Sequence, residues 1–289
     1  MIVPSDVSSG LGAPMDLPGR LDVPTTLVIP CHDEAARLDG PALLAFVEVW
    51  PALRLLLVND GSHDGTAAVL DRLAVHPRVD ALHLPRNVGK AEAVRQGVLA
   101  ATAPDAPPAE VVGWWDADLA APLDALPTLV FALLAAPERE LILGSRVRLL
   151  GVPVRRRPVR HYVGRIGATL ASLVLGLPVY DTQCGAKVAR ADAARALFAA
   201  PFHTTWTFDV EVLARLIARH PDRDRAALED IVQERPLPRW SDVPGSHVRW
   251  TDVLRAPWDL ARIWWTYRPD RLSLAAEAGR HGAGPRRTG

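Results

Sequence analysis

Val111-Val112-Gly113-Trp114-Trp115-Asp116-Ala117-Asp118 is an apolar run of strand length that ends in two carboxylates one residue apart. Toward the N-terminus the same design recurs three times. Thr26–Pro30 runs into the cluster Pro30-Cys31-His32-Asp33-Glu34. Leu55–Asn59 runs into Asn59-Asp60-Gly61-Ser62-His63-Asp64-Gly65-Thr66, and Ala81–Leu84 is followed by Arg86-Asn87-Val88-Gly89-Lys90. Amphipathic stretches near Pro41–Trp50, Thr66–Val75 and Lys90–Ala101 separate these runs, and a fifth apolar run lies at Leu141–Ser145. Strands alternating with helices predict βαβ units and an α/β fold built on a mostly parallel sheet. Ligands of such sheets bind beyond the carboxyl ends of the strands, where all four polar clusters fall. Any one cluster alone reads equally well as a turn, since Asp, Asn, Gly and Pro are turn formers. Four in succession at one sheet edge favour a binding site.

The chain has 289 residues, 49% of them hydrophobic and 23% charged, enough to bury a large α/β core. Its formal net charge is zero, so no overall field draws it to nucleic acid. Two cysteines far apart, Cys31 and Cys184, predict no disulfide framework and a reducing, cytoplasmic setting. Residues 1–24 lack the basic and apolar regions of a signal peptide, and with 279–289 they read as Pro-, Gly- and Ser-rich disordered tails. The longest apolar stretch, Ile166–Tyr180, is interrupted by Gly and Pro and falls short of the roughly 20 residues of a spanning helix. Of the 33 basic residues only Lys90 and Lys187 are lysines. Both sit inside polar motifs, where a compact ammonium and a planar guanidinium are not interchangeable.

The Asp116–Asp118 pair has a clear chemical logic. Two hard carboxylate oxygens at a strand end suit Mg²⁺ or Mn²⁺, with water and phosphates completing the shell. Such a cation neutralises charge on a departing nucleoside diphosphate. Between 146 and 165 lie Arg146, Arg148, Arg155, Arg156, Arg157, Arg160 and Arg165. These form either a solvated basic loop or an anion clamp, since guanidinium forks match phosphate oxygens. Asp181 and Asp209, with Glu211 behind them, are the candidate general bases if the acceptor is a hydroxyl. Their other role is to orient Lys187, Gln183 or the arginines. Trp250–Arg268 mixes Trp, Leu and Ile with Arg and reads either as an interfacial helix or as one packed on the catalytic domain. Pro257 is expected to break it early.

In their order, the motifs resemble family 2 glycosyltransferases of the GT-A fold, and within them the dolichyl- or polyprenyl-phosphate glucosyl- and mannosyltransferases. The resemblance rests on Val28–Glu34, Val58–Thr66, Asn87–Gly97, Asp116–Pro122, Gly144-Ser145-Arg146, Asp181-Thr182-Gln183-Cys184-Gly185-Ala186-Lys187 and Phe208–Glu211. It extends through Glu234–His247, and Trp206–Glu211 points toward the dolichyl-phosphate glucosyltransferase branch. It implies a catalytic domain over 25–249, an amphipathic region over 250–268 and a tail over 269–289. It also implies inverting transfer of a hexose, with UDP-glucose as the expected donor, GDP-mannose the other, and a polyprenyl phosphate as acceptor. By the same resemblance Pro30, His32, Glu34, Asp60, Lys90, Asp116, Gln183 and His247 face the donor, and Asp116 and Asp118 hold Mg²⁺ or Mn²⁺. Arg146, Asp181, Lys187 and Asp209 form the catalytic group, and Arg155, Arg156, Arg157 and Arg160 meet the acceptor phosphate.

A polyprenyl phosphate is already an anionic nucleophile, so it needs positioning and charge shielding rather than a strong base. The expected setting is cytoplasmic, with contact at the inner face of a membrane. The sequence departs from the family pattern at His32 for an aromatic Tyr, Asn59 for Asp, Ala91 for Gly and His247 for Lys. The charge of His247, unlike that of lysine, changes near neutral pH. A soluble acceptor, or a GT-A module that binds nucleotide without turnover, are the competing readings.

Overall fold

The computed structural model describes residues 22–147, 154–155, 158–241 and 250–268. The first half alternates strands and helices as the apolar periodicity predicts: β1 Thr25–Cys31, α1 Gly40–Val49, β2 Leu53–Asp60, α2 Thr66–Leu73, β3 Val79–Leu84, α3 Lys90–Ala101 and β4 Val111–Trp115. Then follow α4 Leu126–Leu134, β5 Leu141–Ser145, β6 Val154–Arg155, α5 Pro158–Leu175, β7 Ala186–Arg190 and α6 Ala191–Leu197. The chain continues through α7 Phe208–Arg219, α8 Arg225–Ile231, β8 Val232–Pro236, β9 Trp240–Ser241 and α9 Trp250–Tyr267.

Seven strands form the central sheet in the order β3-β2-β1-β4-β7-β5-β8, while β6 and β9 pair separately. All neighbours in the large sheet run parallel except β7, which is antiparallel to both β4 and β5. Both faces are covered, so strand residues are buried alternately on the two sides. Leu27 and Ile29 of β1 pack with Leu43, Val47 and Leu70 from α1 and α2. Val28, between them, packs on the other face with Val94 and Val98 of α3. Close approach of α3 to the sheet depends on Gly97, where a Cβ would lie 2.4 Å from Val28 Cγ1 and 2.8 Å from Val58 Cγ2.

The strand order reverses between β1 and β4, because β1 leads outward to β2 and β3 on one side and β4 begins the other. Pairing of β1 with β4 runs from Thr25 opposite Val111 to Val28 opposite Trp114 and then stops. The two strand ends part there, and this is the crevice where open α/β sheets bind ligands. Pro30 lies past the last paired residue, so its missing N–H removes no bond to β4.

One expectation needs correcting. Pro257 does not end the last helix: α9 runs from Trp250 to Tyr267 with the proline inside it. Proline removes one backbone bond, but the inner face of α9 is anchored by Leu260 and Ile263 packing on Ala171, Val210 and Ala214. Ile166–Tyr180 is divided between α5 and a following turn, and among the described residues no helix is long and apolar enough to cross a membrane.

Candidate active site

Trp115, the last residue of β4, fixes what comes after it. Its indole N–H donates to the Ala121 carbonyl at 2.8 Å, closing the Asp116–Ala121 turn over the strand end. Within that turn Leu119 takes a left-handed φ of 50°, and Ala120 N–H donates to Asp118 Oδ1 at 3.1 Å. Asp116 N–H donates to Gly185 O at 2.9 Å, tying the turn to the segment that enters β7. Both acidic side chains are thus presented at the crevice beside β1.

Lys90 opens α3 and reaches Asp116 Oδ1 at 2.5 Å. Asp60 sets its position. The Asp60 carboxylate accepts Val88 N–H at 2.7 Å and Gly89 N–H at 2.9 Å, so it shapes the turn that delivers Lys90. His32 is held in the same way: the Asp60 carbonyl, 2.9 Å from Nδ1, can only accept, so Nδ1 carries the proton. Nε2 then accepts from Asn87 Nδ2 at 2.8 Å. Glu34 is buried, and its two oxygens take Arg37 Nη2 at 2.5 Å and Nε at 2.9 Å. Asn59, in place of an acid, accepts Ser62 N–H at 3.0 Å and faces His83 at 3.1 Å.

The second half of the chain brings two further ion pairs to the same crevice. Arg146, just past β5, forms a fork with Asp181 at 2.6 Å to each oxygen, and its cation lies 4.9 Å from the Trp240 ring centre. Lys187, in the middle of β7, is 1% exposed and sits 3.0 Å from Asp209 at the start of α7. It also donates to the Cys184 carbonyl. Glu211 points elsewhere: it is fully buried and accepts from His203 N–H, Thr204 N–H, Arg215 and Tyr267. The Gln183 amide nitrogen and the Ser145 hydroxyl are buried without hydrogen-bond partners among the described residues. A buried polar group of that kind is free to bond to water or to a ligand in the crevice.

The charges form one group. Desolvation works against the Lys90 ammonium, but Asp116, Asp209 and Asp118 together hold its pKa above the ordinary lysine range. Burial likewise works against ionised Asp116, yet Lys90, Lys187 and Arg146 hold its carboxyl below the usual range. Asp118 goes the other way, pushed up first by burial and then by the neighbouring Asp116 charge. Asp116, Asp181 and Asp209 each bridge to a cation, and among the described residues Asp118 does not. A carboxylate without a direct ion pair beside a second one, both with hard oxygens, fits a divalent cation. No group of three or more acidic, His or Cys side chains closes a complete cage among the described residues. Two carboxylates with phosphate and water as the remaining ligands suit Mg²⁺ or Mn²⁺.

Three residues matter here that sequence reasoning passed over. Gly185 is one: a Cβ there would stand 2.0 Å from Asp116 Oδ2. Glu234 is another; it accepts Tyr180 N–H and Asp181 N–H, each at 2.7 Å, and so holds the loop that presents Asp181. Ser145 is the third, visible beforehand only as the middle of Gly144-Ser145-Arg146. Both cysteines are free and buried, with burial raising the Cys184 thiol to about 12. His247, Arg156 and Arg157 lie outside the described residues. Arg155 falls in β6 and Arg160 in the first turn of α5, which places their backbones only.

A doubly covered, mostly parallel sheet with a paired-carboxylate turn at its strand-order reversal defines a GT-A glycosyltransferase architecture. The model of glycosyl transferase family 2 matches residues 26–198, and the chain belongs to that family. Dolichyl-phosphate beta-glucosyltransferase ALG5C of Trichomonas vaginalis is 29% identical over 260 residues, covering 84% of this chain and 71% of the relative. The dolichyl-phosphate beta-glucosyltransferase of Drosophila melanogaster is 29% identical over 262 residues, covering 84% and 74%. Among solved structures, glucosyl-3-phosphoglycerate synthase from Mycobacterium tuberculosis, in complex with Mn²⁺, UDP and glucosyl-3-phosphoglycerate, superposes with a TM-score of 0.59. That match is 18% identical and covers 84% of this chain and 80% of the other, which is a likeness of fold.

Proposed function

We propose that this chain moves a glucosyl group, with inversion, from UDP-glucose to a polyprenyl or dolichyl phosphate. The observation that carries the proposal is the Lys90–Asp116–Asp118 cluster at the β1/β4 crevice. Asp116 and Asp118 would hold Mg²⁺ or Mn²⁺, which when bound neutralises charge on the departing diphosphate. Lys90 adds a protein cation on the same side, and the buried Gln183 amide offers an unused donor to the sugar nucleotide.

The acceptor side is supported by what Asp181 and Asp209 are doing. Each is paired with a buried cation, Arg146 or Lys187, and so acts as an orienting group. A hydroxyl acceptor needs a base able to take a proton; a phosphate oxygen does not. In the proposed step an acceptor phosphate oxygen forms a bond to the anomeric carbon. The bond from that carbon to the diphosphate breaks, and its electron pair leaves with UDP. Arg155, Arg156, Arg157 and Arg160 are the proposed contacts to the acceptor phosphate. Dolichyl phosphate, part of the names of the Trichomonas vaginalis and Drosophila melanogaster transferases similar to this chain, supports this assignment.

UDP release from UDP-glucose with Mn²⁺ is expected to rise at least about tenfold when a short polyprenyl phosphate is added. Stimulation by 3-phosphoglycerate and not by the polyprenyl phosphate would replace the acceptor. Turnover of GDP-mannose and not UDP-glucose would replace the donor.

A further inference from the structure

Asn59 stands at the end of β2 where the family pattern has an acid, and a histidine accompanies the change. On the neighbouring strand β3, His83 lies directly opposite Asn59 in the parallel register. The polarity of the pair is set by a backbone group. Ser62 N–H can only donate, and it donates to Asn59 Oδ1 at 3.0 Å. The Asn59 amide nitrogen is therefore the atom facing His83 Nδ1, at 3.1 Å, and it too can only donate. Nδ1 must then be bare. The other ring nitrogen, Nε2, stands 3.0 Å from Asp71 Oδ1 of α2, an acceptor, and carries the proton. His83 thus meets Asn59 as a neutral imidazole oriented by Asp71.

The Asn59 amide closes the Asn59–Ser62 turn, and that turn touches the segment that delivers Lys90. A Cβ on Gly61 would overlap the backbone of Arg86 and Asn87. Asp60, in the same turn, accepts Val88 N–H and Gly89 N–H. Ser62 Oγ accepts Asp33 N–H at 3.1 Å, joining the turn to the cluster after β1. The Arg86–Gly89 segment is built alike: Asn87 Oδ1 accepts Gly89 N–H at 3.0 Å, and its amide donates to the bare Nε2 of His32. A proton on His83 Nδ1 would face a donor. If the Asn59 amide turned over to meet it, the NH₂ would face Ser62 N–H and the turn would lose its closing bond. Asn59 is buried, so water does not readily replace that bond. Of the charged side chains on β2 and α2, which pack on β3, Asp71 is the one in contact with His83. Arg54 is paired with Asp80 near the other end of the strands, Asp60 turns to Val88 and Gly89, and Arg72 is exposed.

We propose that His83, oriented by Asp71, is a positioning residue for the donor: as a neutral acceptor it fixes the Asn59 amide, and through it the turn that seats Lys90. This rests on the proposed function and deepens it, by naming the protonation state in which the donor crevice is assembled.

The test measures UDP affinity with Mn²⁺ in the full chain and its variants, at about pH 8 and about pH 6, on either side of the ordinary histidine pKa. The His83 side chain is 36% exposed on an edge strand, so substitutions there keep the fold. His83→Leu removes the acceptor and is expected to weaken UDP binding by about tenfold at both pH values. His83→Asn sets a carbonyl oxygen near the place of Nδ1 and takes up no proton. Its affinity at the higher pH is expected within about twofold of the unaltered chain. Because the assembled crevice needs the neutral ring, acidification weakens binding. Between the two pH values the unaltered chain is expected to lose at least about threefold more affinity than His83→Asn. His32, Asp118 and the UDP phosphates titrate in both chains and cancel from that comparison. A merely structural histidine would lower the denaturation midpoint and leave the difference in pH slope at zero. In Asn59→Asp a carboxylate faces Nδ1, and the pH at which the His83 ring protonates, read by NMR, is expected to rise. Undiminished UDP binding in His83→Leu would overturn the inference, and so would equal pH slopes in His83→Asn and the unaltered chain. Either result beside normal UDP binding by the unaltered chain overturns this inference alone. No Mn²⁺-dependent UDP binding by the unaltered chain would overturn the transferase reading, and this inference with it.

Discussion

Gly185→Ala is expected to lower turnover by about a hundredfold, the scale on which misplacement of a reacting group by about an ångström acts. The added methyl would lie 2.0 Å from Asp116 Oδ2 and 2.2 Å from its Cγ. Neither side can yield easily. Asp116 N–H is bonded to Gly185 O, so the two residues cannot separate without breaking the contact that joins the β4 end to β7. The carboxylate must swing away instead, and it then leaves Lys90 Nζ, now at 2.5 Å. The effect belongs to the site more than to the fold, with about 1–3 kcal/mol of stability lost to overpacking. Gly167→Ala is the control: nothing lies within 4 Å of a Cβ there, and turnover is expected to be unchanged. Steady-state rates of the two variants, read beside their denaturant midpoints, check this.

Lys187→Met is expected to lose about 3–5 kcal/mol of folding stability, measured by urea or guanidinium titration. Lys187 is 1% exposed and Asp209 6% exposed on their side chains, so removing the ammonium strands a carboxylate in the interior. Lys187→Met/Asp209→Leu is expected to recover most of that loss, because a buried pair replaced by apolar groups is often close to neutral. It will not recover turnover, since Asp209 and Lys187 help to set the charge on Lys90 and Asp116 respectively. Equal destabilisation in the single and double variants would show that Lys187 acts by volume and not by charge.

Four of the five strands that a reader finds in the sequence are buried on both faces, and the fifth, β3, is a partly buried edge strand. β1, β2, β4 and β5 are continuous apolar runs, and the helices between the first of them show a plain amphipathic period. β7 hides because its sequence, Ala186-Lys187-Val188-Ala189-Arg190, places a lysine at the centre of a sheet. Only Asp209 and the Cys184 carbonyl, brought in by tertiary structure, make that position tolerable. β8 hides for a related reason: Val232–Pro236 is charged and only partly buried, and Glu234 has its task in the Asp181 loop. In the site, ordered motifs located the crevice and its acidic pair, but not how the side chains divide their work. Glu34 meets Arg37 three residues on, while Asp60 meets backbone N–H groups 28 and 29 residues away. Spacing along the chain does not distinguish these from free carboxylates. Gly185 is legible only once the atoms facing its missing Cβ are known.

The account rests on Asp116 and Asp118 joining a divalent cation to the donor diphosphate. Calorimetric titration of UDP with and without Mn²⁺, in the unaltered chain and in Asp118→Ala, tests that most directly. The expected result is UDP affinity at least about tenfold higher with Mn²⁺ in the unaltered chain, with that gain lost in Asp118→Ala at an unchanged thermal midpoint. A Mn²⁺-dependent gain that survives intact in Asp118→Ala would contradict it.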